Sequence, residues 1–211
     1  IVIINSNFRN TFNNLITNNA TGGFFEYGYL SGGISFFNSK INIINSKFKN
    51  LKSNDGLHFV KTNFNIQNSV FDGSFSDMID SDWSDGKISY SSFTNCGIDS
   101  GDCLDFSGSN SEANFNKIFS FKDKGISIGE NSVVNVYKNL IQDGQKGIAI
   151  KDGSITTAAS NTFNNLDYGI LVYIKKPYYT PPVFKLDENE FNDVLSKTTI
   201  ENLSTYTRKY D

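Results

Sequence analysis

Apolar and polar positions alternate along this chain in short bursts that return at a nearly constant interval. The clearest burst is a Gly or Asp, an apolar residue, one variable residue and usually a second apolar one. It reads Gly33-Ile34-Ser35-Phe36, Gly56-Leu57-His58-Phe59, Met78-Ile79-Asp80-Ser81 and Cys103-Leu104-Asp105-Phe106. Three more copies are Gly125-Ile126-Ser127-Ile128, Gly147-Ile148-Ala149-Ile150 and Gly169-Ile170-Leu171-Val172. The first apolar residues stand at 34, 57, 79, 104, 126, 148 and 170, in steps of 23, 22, 25, 22, 22 and 22 residues. A fixed period in this range belongs to a solenoid.

A second phrase keeps the same beat: Asn5-Ser6-Asn7-Phe8, Asn45-Ser46-Lys47-Phe48, Asn68-Ser69-Val70-Phe71, Tyr90-Ser91-Ser92-Phe93 and Ser160-Asn161-Thr162-Phe163, with weaker copies ending at Ile118, Ile141 and Phe191. Two places before each anchor stands Ser6, Ser46, Ser69, Ser91, Asn116, Asn139, Asn161 or Asn189. Each repeat thus holds two or three runs of β-branched and aromatic residues separated by turn formers. Alternation such as Ile126-Ser127-Ile128 has the strand period of two, and no stretch sustains a helical period. Asn and Ser at equivalent turn positions stack from coil to coil and bond turn backbones.

These patterns predict an all-β chain, a right-handed parallel β-helix with about 22 residues per coil and roughly eight or nine coils. At a strand spacing of roughly 4.8 Å this is a rod on the order of 40 Å long. A leucine-rich horseshoe is excluded because L-x-x-L-x-L is absent, and a left-handed helix because strict six-residue repeats are absent. A sandwich would vary its intervals more.

Composition adds two constraints. Of 211 residues, 19 are Phe, enough to fill a narrow core with stacked rings. The net charge is −3, and the only arginines are Arg9 and Arg208, so there is no electrostatic case for nucleic acid. No apolar run approaches the length of a membrane span. The chain opens inside a strand-like phrase without a start Met, which reads as a piece of a longer protein with further domains.

Residues 1–195 are expected to form one β-helix domain. Within it, 9–32 is an irregular coil with a strand of its own around Phe24 to Tyr29, and 174–184 is an inserted loop. Residues 196–211 read as a tail or linker. Tyr178 and Tyr179, in the Pro-rich insertion, are candidates for stacking on sugar rings or a partner; the plainer reading is a loop folded onto the rod's end as a partial cap.

Aligning the coils exposes two chemical columns. One place after the first apolar residue stand Ser35, His58, Asp80, Asp105, Ser127, Ala149 and Leu171; two places before it stand Gly32, Asp55, Asp77, Asp102, Lys124, Lys146 and Tyr168. His58, Asp80 and Asp105 should line one exposed face, with Asp55, Asp77 and Asp102 beside them and Asp82, Asp85 and Asp99 nearby. Carboxylates stacked at strand spacing repel unless protonated, solvated or cation-bound. Asp77, Asp80, Asp102 and Asp105 offer oxygen ligands for calcium, the one cofactor with a case. In elimination on a uronate glycan, Lys124 or His58 would take the proton. In hydrolysis, Asp80 and Asp105, about 5 Å apart, would be acid and nucleophile or base. The plainer reading is that Asp beside Gly is an ordinary turn residue and the face is merely solvated.

Cys96 and Cys103 flank a turn. A disulfide or two packed thiols both fit, and the Gly and Met found elsewhere in the Cys103 column favour packed thiols.

The coils around Asp102-Cys103-Leu104-Asp105-Phe106-Ser107-Gly108-Ser109, Lys124-Gly125-Ile126-Ser127-Ile128-Gly129 and Lys146-Gly147-Ile148-Ala149-Ile150-Lys151 resemble the β-helix repeats of the pectate-lyase-like superfamily. More narrowly they are similar to β-helix segments of large bacterial surface or secreted proteins, some carrying a spore-coat-H-type kinase domain. The resemblance spans most of 34–174. Its hydrolase signatures (Asn-Thr-Asp, Asp-Asp, Gly-His-Gly, Arg-x-Lys) are absent here, as are the Arg beside a lyase's calcium aspartates and the Asp-Pro-His-Asp of alginate epimerases. The resemblance therefore implies an extracytoplasmic, non-catalytic β-helix module, a scaffold or a carbohydrate- or protein-binding surface. The alternative is a polysaccharide lyase or glycoside hydrolase working through the Asp cluster.

Overall fold

The computed structural model describes residues 1–6, 8–25 and 28–201, and their regular elements are all strands. Three faces of parallel strands wind around one core. The first face carries Val2–Ile4, Gly32–Phe37, Asp55–Val60, Asp77–Asp82 and Asp102–Ser107. The second is an eight-stranded sheet running from Arg9–Asn13 to Val183–Asp187. The third holds Ile16–Asn18, Lys47–Leu51, Val70–Ser74 and Ser92–Cys96. In later coils Lys117–Gly129, Leu140–Lys151, Thr162–Tyr173 and Glu190–Ile200 turn the corner from third face to first without a break.

The spacing read from the sequence is the register of the first face. Ile34 pairs with Leu57, Leu57 with Ile79, Ile79 with Leu104, and so on through Ile126, Ile148 and Ile170. These positions span six turns of about 23 residues, and the ladder continues beyond them at both ends.

The core is built by stacking like on like. Phe48, Phe71 and Phe93 stack with centroids 4.7 and 4.8 Å apart and planes within 10°. Phe36 and Phe59 stack at 5.0 Å, and Phe163 and Phe191 at 4.9 Å. Where a ring needs more width, the next coil withdraws its side chain. A Cβ on Gly86 would lie 2.0 Å from Phe64, and one on Gly144 2.1 Å from Phe121.

The corners carry polar ladders. Between second and third faces, Asn139 Oδ1 accepts from Asn116 N and Nδ2 at 2.9 and 3.1 Å, while its own Nδ2 donates to Ala113 O and to Asn161 Oδ1. Asn161 repeats this with Asn189. Ser46, Ser69 and Ser91 do the same with hydroxyls. Between first and second faces run Thr62, Ser84, Ser109 and Ser132. Each ladder satisfies turn amides that have no strand partner. Ser6 belongs to this second corner, not the first. Its amide donates to Ser39 Oγ, and Leu15 takes the place opposite Ser46. Phe8 is accordingly 83% exposed instead of anchoring the core.

Three further expectations meet the coordinates. Between 9 and 32, the strand expected around Phe24 to Tyr29 is two: Gly23–Phe25 and Gly28–Leu30 pair antiparallel, with Phe24 and Tyr29 edge to face at 5.5 Å; Glu26 and Tyr27 lie outside the described residues. The last strand runs to Ile200, pairing Tyr168 with Ser196 and Val172 with Ile200, so the ladder continues past Leu195, where the tail was expected to begin. Residues 202–211 of that tail lie outside the described residues. Finally, Cys96 and Cys103 are joined in a disulfide, Cα–Cα 5.1 Å, which corrects the reading of packed thiols. The turn between them folds back on itself and brings the end of one strand beside the start of the next.

Candidate functional site

The strand period carries His58, Asp80 and Asp105 outward between inward apolar neighbours, and the register stacks them. Asp80 pairs with His58 on one side and Asp105 on the other, and Asp105 pairs with Ser127. Asp77 pairs with Asp55, Asp102 with Lys124, and Lys124 with Lys146. Both predicted columns therefore exist on one face. Asp85 is not on it: it starts a strand of the second face. Asp99 sits in the exposed turn between the cysteines, its carbonyl accepting from Lys122 Nζ.

The face is less open than the alternation implied. Side chains of His58, Asp80 and Asp105 are 14, 18 and 21% exposed, because rungs one strand apart shade each other. His58 Nε2 lies 3.1 Å from Asp82 Oδ2 and 3.7 Å from Asp80 Oδ2. Its Nδ1 lies 3.2 Å from Ser31 Oγ and 3.8 Å from Asp55 Oδ2. Asp55, His58 and Asp80 each bring a ligand atom within 4.8 Å of the others. The four aspartates picked out for calcium are differently engaged. Asp77 Oδ1 accepts from the Asp102 amide at 2.6 Å, and Asp102 is bound at 3.0 Å by Lys124 Nζ.

Burial and crowding set the protonation of this cluster. Desolvation, with Asp82 and Asp105 adding repulsion, pushes Asp80 up to about 10. The same causes, with Asp105 and Asp102 as neighbours, push Asp77 up to about 8. Asp55 is raised by burial, and Asp102 by burial and by Asp105 against the pull of Lys124. Asp105 Oδ1 is enclosed and accepts no hydrogen bond; Lys151 Nζ lies 3.9 Å away.

Farther along the rod the face turns basic, and its cations are matched. Lys124 pairs with Asp102 and Asp123. Burial opposes its charge, yet these carboxylates hold it above the ordinary lysine value. Lys146 Nζ sits 2.7 Å from Asp123 Oδ1, and Lys151 Nζ 2.7 Å from Ser127 Oγ. Asp123 and Lys151 escaped the sequence reading because they fall at corners, where the two-residue period lapses.

Tyr178 and Tyr179 stand apart from the acidic cluster. Their loop docks at the basic end, where Asp152 Oδ1 accepts from the amides of Lys175 and Lys176 and Lys176 Nζ pairs with Glu130. The two rings lie 4.9 Å apart, with Tyr178 mostly exposed. Among the described residues, no helix is long and apolar enough to cross a membrane.

Comparison with known proteins bears on the fold. The family described as right handed beta helix region matches residues 32–180. The catalytic domain of a GH87 alpha-1,3-glucanase variant, solved with tetrasaccharides, aligns at 11% identity and a TM-score of 0.39, covering 85% of this chain and 50% of that one. The catalytic domain of a GH87 alpha-1,3-glucanase solved with nigerose aligns at 10% identity and 0.34, covering 82% and 50%. The chain thus spans about half the length of those domains. No curated protein matches it. With a family match over most of its length and a parallel ladder in the predicted register, the chain belongs to the right-handed β-helix family.

Proposed function

We propose that this chain is a rigid, non-catalytic β-helix module of an extracytoplasmic bacterial protein, and that its acidic first face binds carbohydrate. The observation that carries this reading is the straight column His58, Asp80, Asp105, Ser127, with its flanking column of Asp55, Asp77, Asp102 and Lys124. It offers carboxyl, imidazole, hydroxyl and ammonium groups side by side at strand spacing, which matches the mixed donors and acceptors of a polyhydroxylated chain. Like charges crowded on adjacent strands work against stability, and such local conflicts are characteristic of functional surfaces. The Cys96–Cys103 disulfide supports an oxidising compartment.

The same geometry argues against Lys124 as the base of the elimination considered from sequence and leaves His58 as the candidate for that role. A general base must shed its proton near neutral pH, and Lys124 is held charged by two carboxylates. Hydrolysis keeps one supporting observation: Asp80 and Asp105 are direct neighbours, and Asp80 holds its proton at neutral pH, as a general acid would. Calcium remains a proposal for the four aspartates Asp77, Asp80, Asp102 and Asp105. The trio that converges most closely includes His58 and two carboxylates, a donor set better suited to a transition metal than to calcium.

Calorimetric titration with soluble neutral glucans, xylan and polygalacturonate, with and without calcium, separates these readings when run beside an assay for new chain ends. The module reading expects binding without turnover, weakened at least about tenfold by Asp105→Ala in a folded protein. Turnover abolished by Asp105→Ala would establish the enzyme instead. Neither binding nor turnover would leave only a scaffold.

A further inference from the structure

The second face carries a groove that the acidic face does not explain. At the corner between first and second faces, one residue per coil has a positive φ: Asn5, Asn38, Lys61, Trp83 and Gly108. Their amides stack in one column, donating to the carbonyls of Phe37, Val60, Asp82, Ser107 and Gly129. Asn and Gly suit this left-handed conformation and a bulky aromatic residue does not. Yet the only tryptophan of the chain stands here, 61% exposed. It lies across Gly108 of the next coil, where a Cβ would meet Trp83 Cδ1 at 2.6 Å.

The opposite corner of the second face repeats the anomaly. Asn45 and Asn68 hold positive φ in two successive coils, and Tyr90 and Phe115 follow them in the same amide column. Tyr90 and Phe115 stack at 4.9 Å and 7°, with Tyr90 55% exposed, and Tyr137 meets Phe115 edge to face at 5.6 Å. One strand, Asp85–Ser89, runs between Trp83 and Tyr90, so aromatic side chains bracket both of its ends.

At the Trp83 end of that strand the surface is concave and polar. A hollow of about 280 Å³ is lined by Trp83, Asn38, Lys61, Asn63 and Asp85. A second, of about 400 Å³, is lined by Asn63, Asp85, Lys87, Glu112 and Asn135. Asn63 and Asp85 belong to both, so the two form one groove. Each is of the size of a small-ligand site. A protein partner would want an apolar, charge-poor centre here, whereas the lining is mostly amide and charge, with Phe64 beneath it and Trp83 at one rim. Planar amides beside the exposed Trp83 indole fit the hydroxyls and CH faces of sugar rings.

We infer that this groove on the second face, running from Trp83 past Asp85 to Asn135, is an oligosaccharide-binding site separate from the acidic face. Because Trp83 is the sole tryptophan, its emission reports the groove directly. The 211-residue chain should show a saturable change in tryptophan fluorescence when titrated with soluble xylan, a neutral β-glucan or polygalacturonate. Asp85→Asn installs the residue that its register partners Asn63 and Asn110 already carry, so it should fold with an unchanged or raised thermal midpoint while affinity falls at least about fivefold. Asp80→Asn, on the first face, should leave the fluorescence titration unchanged. Trp83→Asn, followed by calorimetry, should lose this phase of binding and keep any phase belonging to the acidic face. No emission change with any of the three glycans up to millimolar sugar would overturn the inference. So would an emission change abolished by Asp80→Asn but not by Asp85→Asn, or sedimentation showing a dimer that Trp83→Asn dissociates.

Discussion

Asp80 is the residue where the physics is most exposed. It is 18% accessible, packed between His58 and Asp105, and its carboxyl keeps its proton to about pH 10. In the unfolded chain it would ionise near 3.8. Between those values the folded state binds a proton that the unfolded state lacks, so the stability contribution is full below pH about 4 and is lost as pH rises toward 10. Asp77 acts in the same direction up to about 8. The thermal midpoint of the wild type should therefore fall from pH 5 to pH 9. Asp80→Asn, which keeps a donor but cannot ionise, should flatten that fall and gain about 1–3 kcal/mol at pH 8. Calorimetric melts of both proteins across this range check it, and parallel profiles would contradict it.

Strands and corners are where the chain's regularity becomes stability. Asn139 satisfies the amide and side chain of Asn116, the carbonyl of Ala113 and its own link to Asn161, all within the rod. Asn139→Ala leaves several buried groups without partners and should cost about 2–4 kcal/mol in urea denaturation. A loss below about 1 kcal/mol would mean that water replaces the ladder. This level was the most legible in the sequence. Spacing alone placed Ile34 through Ile170 in one register and predicted that Asn116, Asn139 and Asn161 would stack. It failed at Ser6, because the Asn-Ser-x-Phe phrase fits either corner and only pairing partners distinguish them. It also failed at Cys96 and Cys103, whose approach depends on the path of the turn between them and not on any period.

For the whole molecule, periodicity converts residues some 22 positions apart into neighbours, and one rod presents faces of different chemistry. The first is acidic at one end and lysine-matched at the other; the second carries an amide-lined groove with Trp83 at its edge. The columns of the first face could be read from sequence, but their pairing could not. That Lys124 is locked by Asp102 and Asp123, and that His58 meets Asp82, depends on side-chain direction at crowded rungs. The groove went unread because the corner position of Trp83 is filled by Asn, Lys or Gly in neighbouring coils, and a position that repeats no residue type carries no period to reveal it. The most direct test of the glycan-binding account is carboxyl-detected NMR of the aspartate side chains during titration with a neutral glucan that binds. The account predicts shifts of Asp80, Asp82 and Asp105, beside that of Asp85 in the groove, with Asp193, several coils farther along the rod, unmoved. Saturable binding that leaves those three resonances in place would contradict it.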